Sequence, residues 1–294
     1  MKRETLEQKI KITNNIMFYI YTNIDTDINM DELAKNYGIS KFYMHKIFKE
    51  VFDRNIYETI KSIRLQKASN LLLTNRYSTI SEVANACGYS SQTSFIRAFK
   101  ERFSMTPKVW RKGGYLEYSN EIVDHSLKIR NSVITLDNFD HLEPQIVKMP
   151  EMQAYYIRHR GYNDAIRQTW QKIQTWIYTN QLEEHQQISL FHDNPSITPL
   201  EDCQYVACVV DNENKVLENN RLPKFTIASG VYAKFTLEGA CGDLLRFIQW
   251  LYLEWLPRNE YETTTKPPYA IYRQNKYLTE DGNFDLDFYL SIKY

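Results

Sequence analysis

No run of eighteen apolar residues occurs anywhere in the 294-residue chain, so no membrane-spanning helix is expected. A glycine-rich phosphate loop, an HExxH segment and a CxxC pair are also missing, which removes three common short signatures of nucleotide, zinc and thiol chemistry. Cysteine is sparse: Cys87, Cys203, Cys208 and Cys241 show no paired metal-ligand spacing. No apolar leader begins the charged stretch MKRETLEQKI, so the expectation is a reduced, cytoplasmic chain. The chain also lacks net charge, with 36 basic residues against 36 acidic.

That zero conceals an asymmetry. Residues 1–115 carry 19 Lys and Arg against 11 Asp and Glu, while the remainder carries 17 against 25. A half at +8 and a half at −8 imply two domains with different partners, the first partner an anion.

The basic half contains one device twice. Leu6, Ile10, Ile16, Met17 and Ile20 have the spacing of an amphipathic helix. In INMDELAKNYGISKFYMHKIFKEVF, Asn29 or Asp31 can cap a short helix whose inner side begins at Leu33 and Ala34. Gly38 supplies a turn, Ser40 caps the next helix, and Met44, Ile47 and Phe48 form an inward stripe. TISEVANACGYSSQTSFIRAFKERF repeats this order, with Thr79 and Glu82 spaced as a capping box. Val83, Ala84, Gly88 and Ser90 match Leu33, Ala34, Gly38 and Ser40 at an offset of 50; Phe99 and Phe103 match Phe48 and Phe52 at 51. A helix over about Tyr57–Thr74 joins the copies and holds their second helices in register with one duplex face, about 34 Å apart.

The outer faces carry the chemistry. Lys41, Phe42, Tyr43, His45, Lys46 and Lys49 on the first unit, and Gln92, Thr93, Ser94 and Arg97 on the second, are candidates for the groove or its rim. Gln pairs bidentately with adenine and Arg with guanine. Lys100, Arg102, Lys108, Arg111 and Lys112 are the expected phosphate contacts. His45 is expected to be neutral rather than pH-sensing.

These residues resemble the DNA-binding domain of the AraC/XylS-type transcription regulators, in the branch typified by MarA, SoxS and Rob. Ile80-Ser-Glu-Val-Ala, Cys87-Gly-Tyr-Ser-Ser, Phe95, Phe99-Lys-Glu-Arg-Phe and Met105-Thr-Pro carry the resemblance, which covers roughly residues 6–113. By position it implies that Phe42, His45 and Lys46, then Gln92, Thr93 and Arg97, reach the major groove. Several relatives have Trp, Gln and Arg where this chain has Phe42, His45 and Lys46, so their operator sequence does not carry over.

Past residue 113 the pattern changes. Residues 114–143 have no decisive period and are expected to be a connecting segment of mixed character. QIVKMPEMQAYYIRHRG suggests two strands, and NDAIRQTWQKIQTWIYTNQL a helix burying Ala165, Thr169, Ile173, Trp176 and Ile177. Strands are expected near Ile188–His192 and Gln204–Val210. FTIASGVYAKFTLEG, GDLLRFIQWLYLEWL, YAIYRQN and FDLDFYLSIKY then repeat strand, helix, strand, strand. The expected fold class is therefore α then α+β: a double helix-turn-helix domain over 1–113, a connector over 114–143, and a duplicated strand–helix–strand domain over 144–294.

GYNDAI, the GVYAKF stretch, EWLP, Tyr261-Glu262 and the terminal LDFYLSIKY resemble the GyrI-like effector-binding domain. That resemblance implies a cleft for small organic molecules between two pseudo-repeated halves, in a domain order like that of Rob. Tyr156, Trp170, Tyr232, Phe235, Trp255, Tyr261, Tyr272 and Phe288 are candidates for its flat walls, with Glu262 as a carboxylate. Drug-binding relatives often carry a glutamate at about the position of Ala270; without it, Glu254 or Glu262 could supply the charge, and a neutral aromatic ligand or a protein contact stays open.

The implied partners are double-stranded DNA, RNA polymerase if the chain activates, and a small aromatic ligand, without a membrane. Two recognition units on one chain make dimerisation unnecessary for occupying both groove segments. No catalytic constellation, metal site or cofactor is expected. Two other readings remain open at this point: a DNA-linked small-molecule hydrolase, and a nucleoid-associated binder with little sequence preference.

Overall fold

A computed structural model describes residues 2–130, 139–213, 216, 222–240 and 242–293. It divides into two compact units, Met1–Leu72 with Tyr77–Trp110, and Leu73–Arg76 with Arg111–Tyr294.

The first unit is helical, with α1 (Lys2–Thr22), α2 (Met30–Asn36), α3 (Lys41–Phe52), α4 (Ile56–Thr74), α5 (Ile80–Ala86), α6 (Gln92–Phe103) and a short α7 (Pro107–Val109). Ile16, Met17 and Ile20 of α1 are buried, whereas Leu6 and Ile10 remain exposed, so only the second half of its apolar stripe packs. The Asn29 side chain, not that of Asp31, accepts the backbone N–H groups that open α2. Thr79 and Glu82 form the reciprocal capping box of α5. Ser40 caps α3, but α6 is capped by Ser91 rather than Ser90. The extra residue of the second copy therefore falls between Gly88 and the cap, and every position from Ser91 onward follows the offset of 51.

Both recognition helices bury the expected stripe. Met44, Ile47 and Phe48 are fully buried in α3, as are Phe95 and Phe99 in α6. The Phe99 and Phe103 ring centres lie 4.5 Å apart, and the Trp110 ring packs tilted with its centre 4.7 Å from that of Phe103, while its indole N–H donates to the Ser69 carbonyl at 3.1 Å. Each such aromatic contributes about 1.5–3 kcal/mol through burial.

Past Trp110 the chain kinks at Gly113, where φ is +110°, and enters a helix α8 (Tyr115–Arg130) of the second unit. The expected connector is thus helical over much of its length; residues 131–138 lie outside the described residues. Among the described residues nine antiparallel strands follow: β1 (Gln145–Met149), β2 (Met152–Arg160), β3 (His185–Phe191), β4 (Gln204–Asp211), β5 (Lys224–Ile227), β6 (Gly230–Gly239), β7 (Glu262–Thr263), β8 (Tyr269–Gln274) and β9 (Phe284–Lys293). Helix α9 (Ile166–Thr179) lies between β2 and β3. Helix α10 (Asp243–Trp250) continues through a π turn into α11 (Leu256–Arg258), between β6 and β7.

Strand order makes the duplication explicit: β1-β6-β9-β8-β3-β4-β2-β5, with β7 on β9. Each half runs strand, helix, strand, strand. In each, the last strand pairs with the first strand and with the one after the helix. The halves join through β3 and β8, where Ser189 lies opposite Ala270. One sheet face carries the two helices. Ile166, Trp170, Ile173 and Ile177 of α9, and Leu244, Phe247, Ile248 and Leu251 of the α10 segment, share a single core with alternate strand residues. Ala165 is exposed at the start of α9, and Ile166 takes the inward place expected of it, while Trp176 packs half-buried against the core beside the fully buried Trp170.

Candidate nucleic-acid interface and ligand-binding core

The offset of 51 superposes the outward faces of the two recognition helices. Phe42, Lys46 and Lys49 of α3 correspond to Thr93, Arg97 and Lys100 of α6, and all six are exposed. In each triad the spacing is i, i+4, i+7, one stripe of a helix whose opposite stripe is anchored in the core. Phe42 is 80 % exposed, an unusual position for a large apolar side chain unless something covers it.

Neighbouring candidates are less free. Lys41 pairs with Asp31 at 2.9 Å, an exposed ion pair that a stronger anion can displace. Tyr43 is half-buried. His45 stacks on Tyr57 with ring centres 5.3 Å apart; burial, then the nearby Lys41 charge, pushes its pKa below the ordinary value. Both effects favour the neutral imidazole. Gln92 and Thr93 are exposed at the first turn of α6, whereas Ser94 is tied into the cap, its hydroxyl donating to the Ser91 carbonyl at 2.9 Å.

Two expected phosphate contacts are half-buried. Arg102 donates to Ser62 Oγ at 2.6 Å and to Gln66 Oε1 at 3.2 Å, fastening α6 to α4, and its guanidinium sits 5.3 Å from the Phe103 ring centre. Sequence spacing placed Arg102 on the outer face, but its long side chain reaches back across the helix pair. Arg111 has Nε and Nη2 buried, and that burial lowers its pKa despite the opposing Glu262 charge. Lys108 and Lys112 are exposed.

The ligand-wall candidates fall on two faces of the sheet. Trp170, Phe235, Trp255, Tyr272 and Phe288 belong to the core beneath the helices, and Tyr261 packs against it, stacked 5.8 Å from Trp255. Tyr156 and Tyr232 do not join them. Their immediate neighbours Tyr155 and Ala233 are the residues of β2 and β6 that enter this core, and strand alternation turns Tyr156 and Tyr232 to the other side. Glu262 pairs in register with Lys293, also off that face, and its carboxylate lies 3.2 Å from the Lys293 ammonium.

A chain of polar groups runs beneath the helices. The Trp170 indole donates to the Tyr205 hydroxyl at 2.8 Å, Tyr205 and Tyr272 share a hydrogen bond, and Ser189 Oγ donates to the Tyr272 hydroxyl at 3.0 Å. All four residues are buried. Burial dominates in holding the Tyr205 and Tyr272 hydroxyls above the ordinary tyrosine pKa, so both are neutral. Tyr205 and Ser189 were not singled out from sequence; strict alternation through QYVACVVD marks Tyr205 as facing the same way as Ala207 and Val209. On the two central strands the helix-side residues before the irregularity in β8 are His185, Gln187, Ser189, Phe191, Ala270 and Tyr272; of these, only His185, at the start of β3, is ionisable. Among the described residues, no group of three or more His, Cys, Asp or Glu is placed to hold a metal ion.

Comparison with known proteins matches residues 142–293 to a family described as GyrI-like small molecule binding domain, and residues 33–113 to one described as a helix-turn-helix domain. The regulatory protein SoxS of Escherichia coli (strain K12) is 34% identical over 101 residues, covering 34% of this chain and 94% of SoxS. The transcriptional regulator Rob of Salmonella typhimurium is 32% identical over 102 residues, 34% of this chain and 35% of Rob. An uncharacterised HTH-type transcriptional regulator encoded in the cgkA 5′ region of Pseudoalteromonas carrageenovora is 32% identical over 114 residues, 37% of this chain and 67% of that protein. The match to Rob spans about a third of Rob's length.

Proposed function

Because the chain belongs to the AraC-type helix-turn-helix regulators and to the GyrI-like small-molecule-binding family, we propose that it is a sequence-specific transcriptional activator controlled by a small molecule. It works in the cytoplasm, and α3 and α6 enter adjacent major-groove segments of one duplex. One chain suffices for both segments. Activation follows where the bound protein positions RNA polymerase.

The observation that carries this reading is the paired stripe Phe42, Lys46, Lys49 and Thr93, Arg97, Lys100 on two helices built from the same caps and core positions. Arg97 is suited to the O6 and N7 atoms of guanine and Gln92 to adenine. Phe42 is suited to a thymine methyl, while Lys46, Lys49, Lys100, Lys108 and Lys112 neutralise phosphates.

The GyrI-like domain takes a neutral aromatic or hydrogen-bonding guest rather than a cation. Ala270 stands where a carboxylate would attract one, and the central strands beneath the helices present amide, hydroxyl and apolar groups, with the His185 imidazole at the start of β3 and no carboxylate.

Genome-wide occupancy, with and without candidate ligands, tests the proposal. A small set of sites sharing one sequence supports it. Uniform occupancy that follows only local DNA abundance sinks it in favour of a nonspecific binder.

A further inference from the structure

We infer that Arg64 is the positioning residue that fixes one recognition unit against the other, and so sets which groove spacing the protein accepts; the second clause rests on the DNA-binding reading above. Arg64 lies midway along α4, the helix joining the two copies. Its Nε donates to the Ile24 carbonyl at 3.1 Å and its Nη2 to the Thr26 carbonyl at 2.6 Å. Both acceptors lie in the loop between α1 and α2, the entry to the first unit.

The second unit closes the junction from the other side. A Cβ at Gly88, in the turn between α5 and α6, would fall 2.5 Å from the Ile24 carbonyl oxygen and 2.7 Å from Arg64 Nη2. Three segments of chain therefore meet at one guanidinium: the entry loop of the first unit, α4, and the turn of the second. A forked planar donor can hold two carbonyls in a fixed geometry, which a lysine ammonium on a flexible stem does less well.

The repeat supplies its own control. Gly38 occupies the equivalent turn of the first unit with nearly the same left-handed backbone, φ +64° against +73° at Gly88. Around Gly38 an added Cβ meets nothing within 4 Å. Gly38 is needed for its backbone angle alone; Gly88 is needed for that angle and for the close approach. The asymmetry is what a one-sided lock requires. The exposed Lys61–Glu101 pair, with side chains 46% and 68% exposed, is too screened to do this work.

The test uses the full-length protein. Nitroxide labels at Lys49→Cys and Lys100→Cys, in a Cys241→Ser background, report the α3-to-α6 distance by pulsed electron double resonance. Arg64 protein should give one narrow distribution. Arg64→Ala and Gly88→Ala should broaden or shift it, while Gly38→Ala, with equal backbone strain, should not. In parallel, Arg64→Ala should lose about 10- to 100-fold in affinity for a duplex carrying both segments at native spacing. It should keep its affinity for a single segment and no longer discriminate against two inserted base pairs. An unchanged distance distribution in Arg64→Ala, or equal loss on one-segment and two-segment duplexes, overturns the assignment. If unaltered protein prefers neither duplex, the DNA reading fails, and the distance measurement still decides the role of Arg64 in the junction.

Discussion

Asp53 and Ser104 stand 51 positions apart and perform the same task. Each turns left-handed at the end of a twelve-residue recognition helix, and each donates its N–H at 2.9 Å to the carbonyl four residues back, Lys49 or Lys100. Neither is glycine, so both helices end on a conformation that L-residues adopt at a cost. Ser104→Gly should relieve it and stabilise the protein by roughly 0.5–1 kcal/mol, less than the full strain because glycine loses more entropy on folding. A rise in Tm without change in DNA affinity is the expected outcome.

Arg97 and Arg102 are five residues apart on one helix yet differ in what they touch. Arg97→Ala should weaken binding to the specific site by about 1–3 kcal/mol and relax the preference at one base pair. Its melting temperature should stay close to that of the parent. Arg102→Ala frees Ser62 and Gln66 on α4 and should instead lower Tm, with specific and random duplexes affected alike. Titrations on both kinds of DNA, run beside thermal melts, separate the two.

Removing a phosphate contact has a different signature. Lys112→Ala should weaken binding across all sequences and flatten the dependence of log affinity on log salt by about 0.9, the value of one phosphate contact on B-DNA. Arg111→Ala should leave that slope unchanged, because its guanidinium is turned inward.

Tyr272→Phe deletes the hydroxyl that joins Ser189 to Tyr205. The Ser189 donor is then left buried without its partner, and the expected cost is about 1–3 kcal/mol in chemical denaturation. Ser189→Ala with Tyr272→Phe should recover part of that loss, since removing both partners is less costly than removing one.

Alkaline pH offers a test of tyrosine burial. Tyr89, Tyr232 and Tyr289 are each pushed up to about 12, chiefly by desolvation, against about 10 in an unfolded chain. Above pH 10 the unfolded state sheds these protons while the folded state keeps them, so stability is full below pH 10 and declines as pH rises towards 12. Tyrosinate absorbance at 295 nm should lag that of the denatured protein across this interval. Superimposable titrations of native and denatured protein would contradict it.

Much of the molecule was legible because local chemistry repeats. Asn29, Ser40, Thr79 and Glu82 are short polar side chains placed where backbone N–H groups need acceptors, and the buried stripes of α3 and α6 have unbroken helical spacing. The same logic failed at Ser90 because either of two adjacent serines satisfies the cap pattern; only the backbone path past Gly88 selects Ser91. It did not foresee the bonds of Arg102 to Ser62 and Gln66, because that side chain is long enough to leave the face that its Cα position suggests.

Sequence by itself determined the two-part organisation, the duplicated helix-turn-helix and the strand–helix–strand order, since each follows from periodicity and turn chemistry within a few residues. Tertiary structure alone decided which aromatic residues share a face. Alternation puts Tyr155 and Tyr156 on opposite sides, but which side meets the helices depends on strand pairing across dozens of residues. It alone also decided that Ser189, Ala270 and Tyr272 would adjoin at the centre of the sheet, and that Arg64, Ile24 and Gly88 would converge. Those contacts join segments distant in the chain, so no local pattern encodes them.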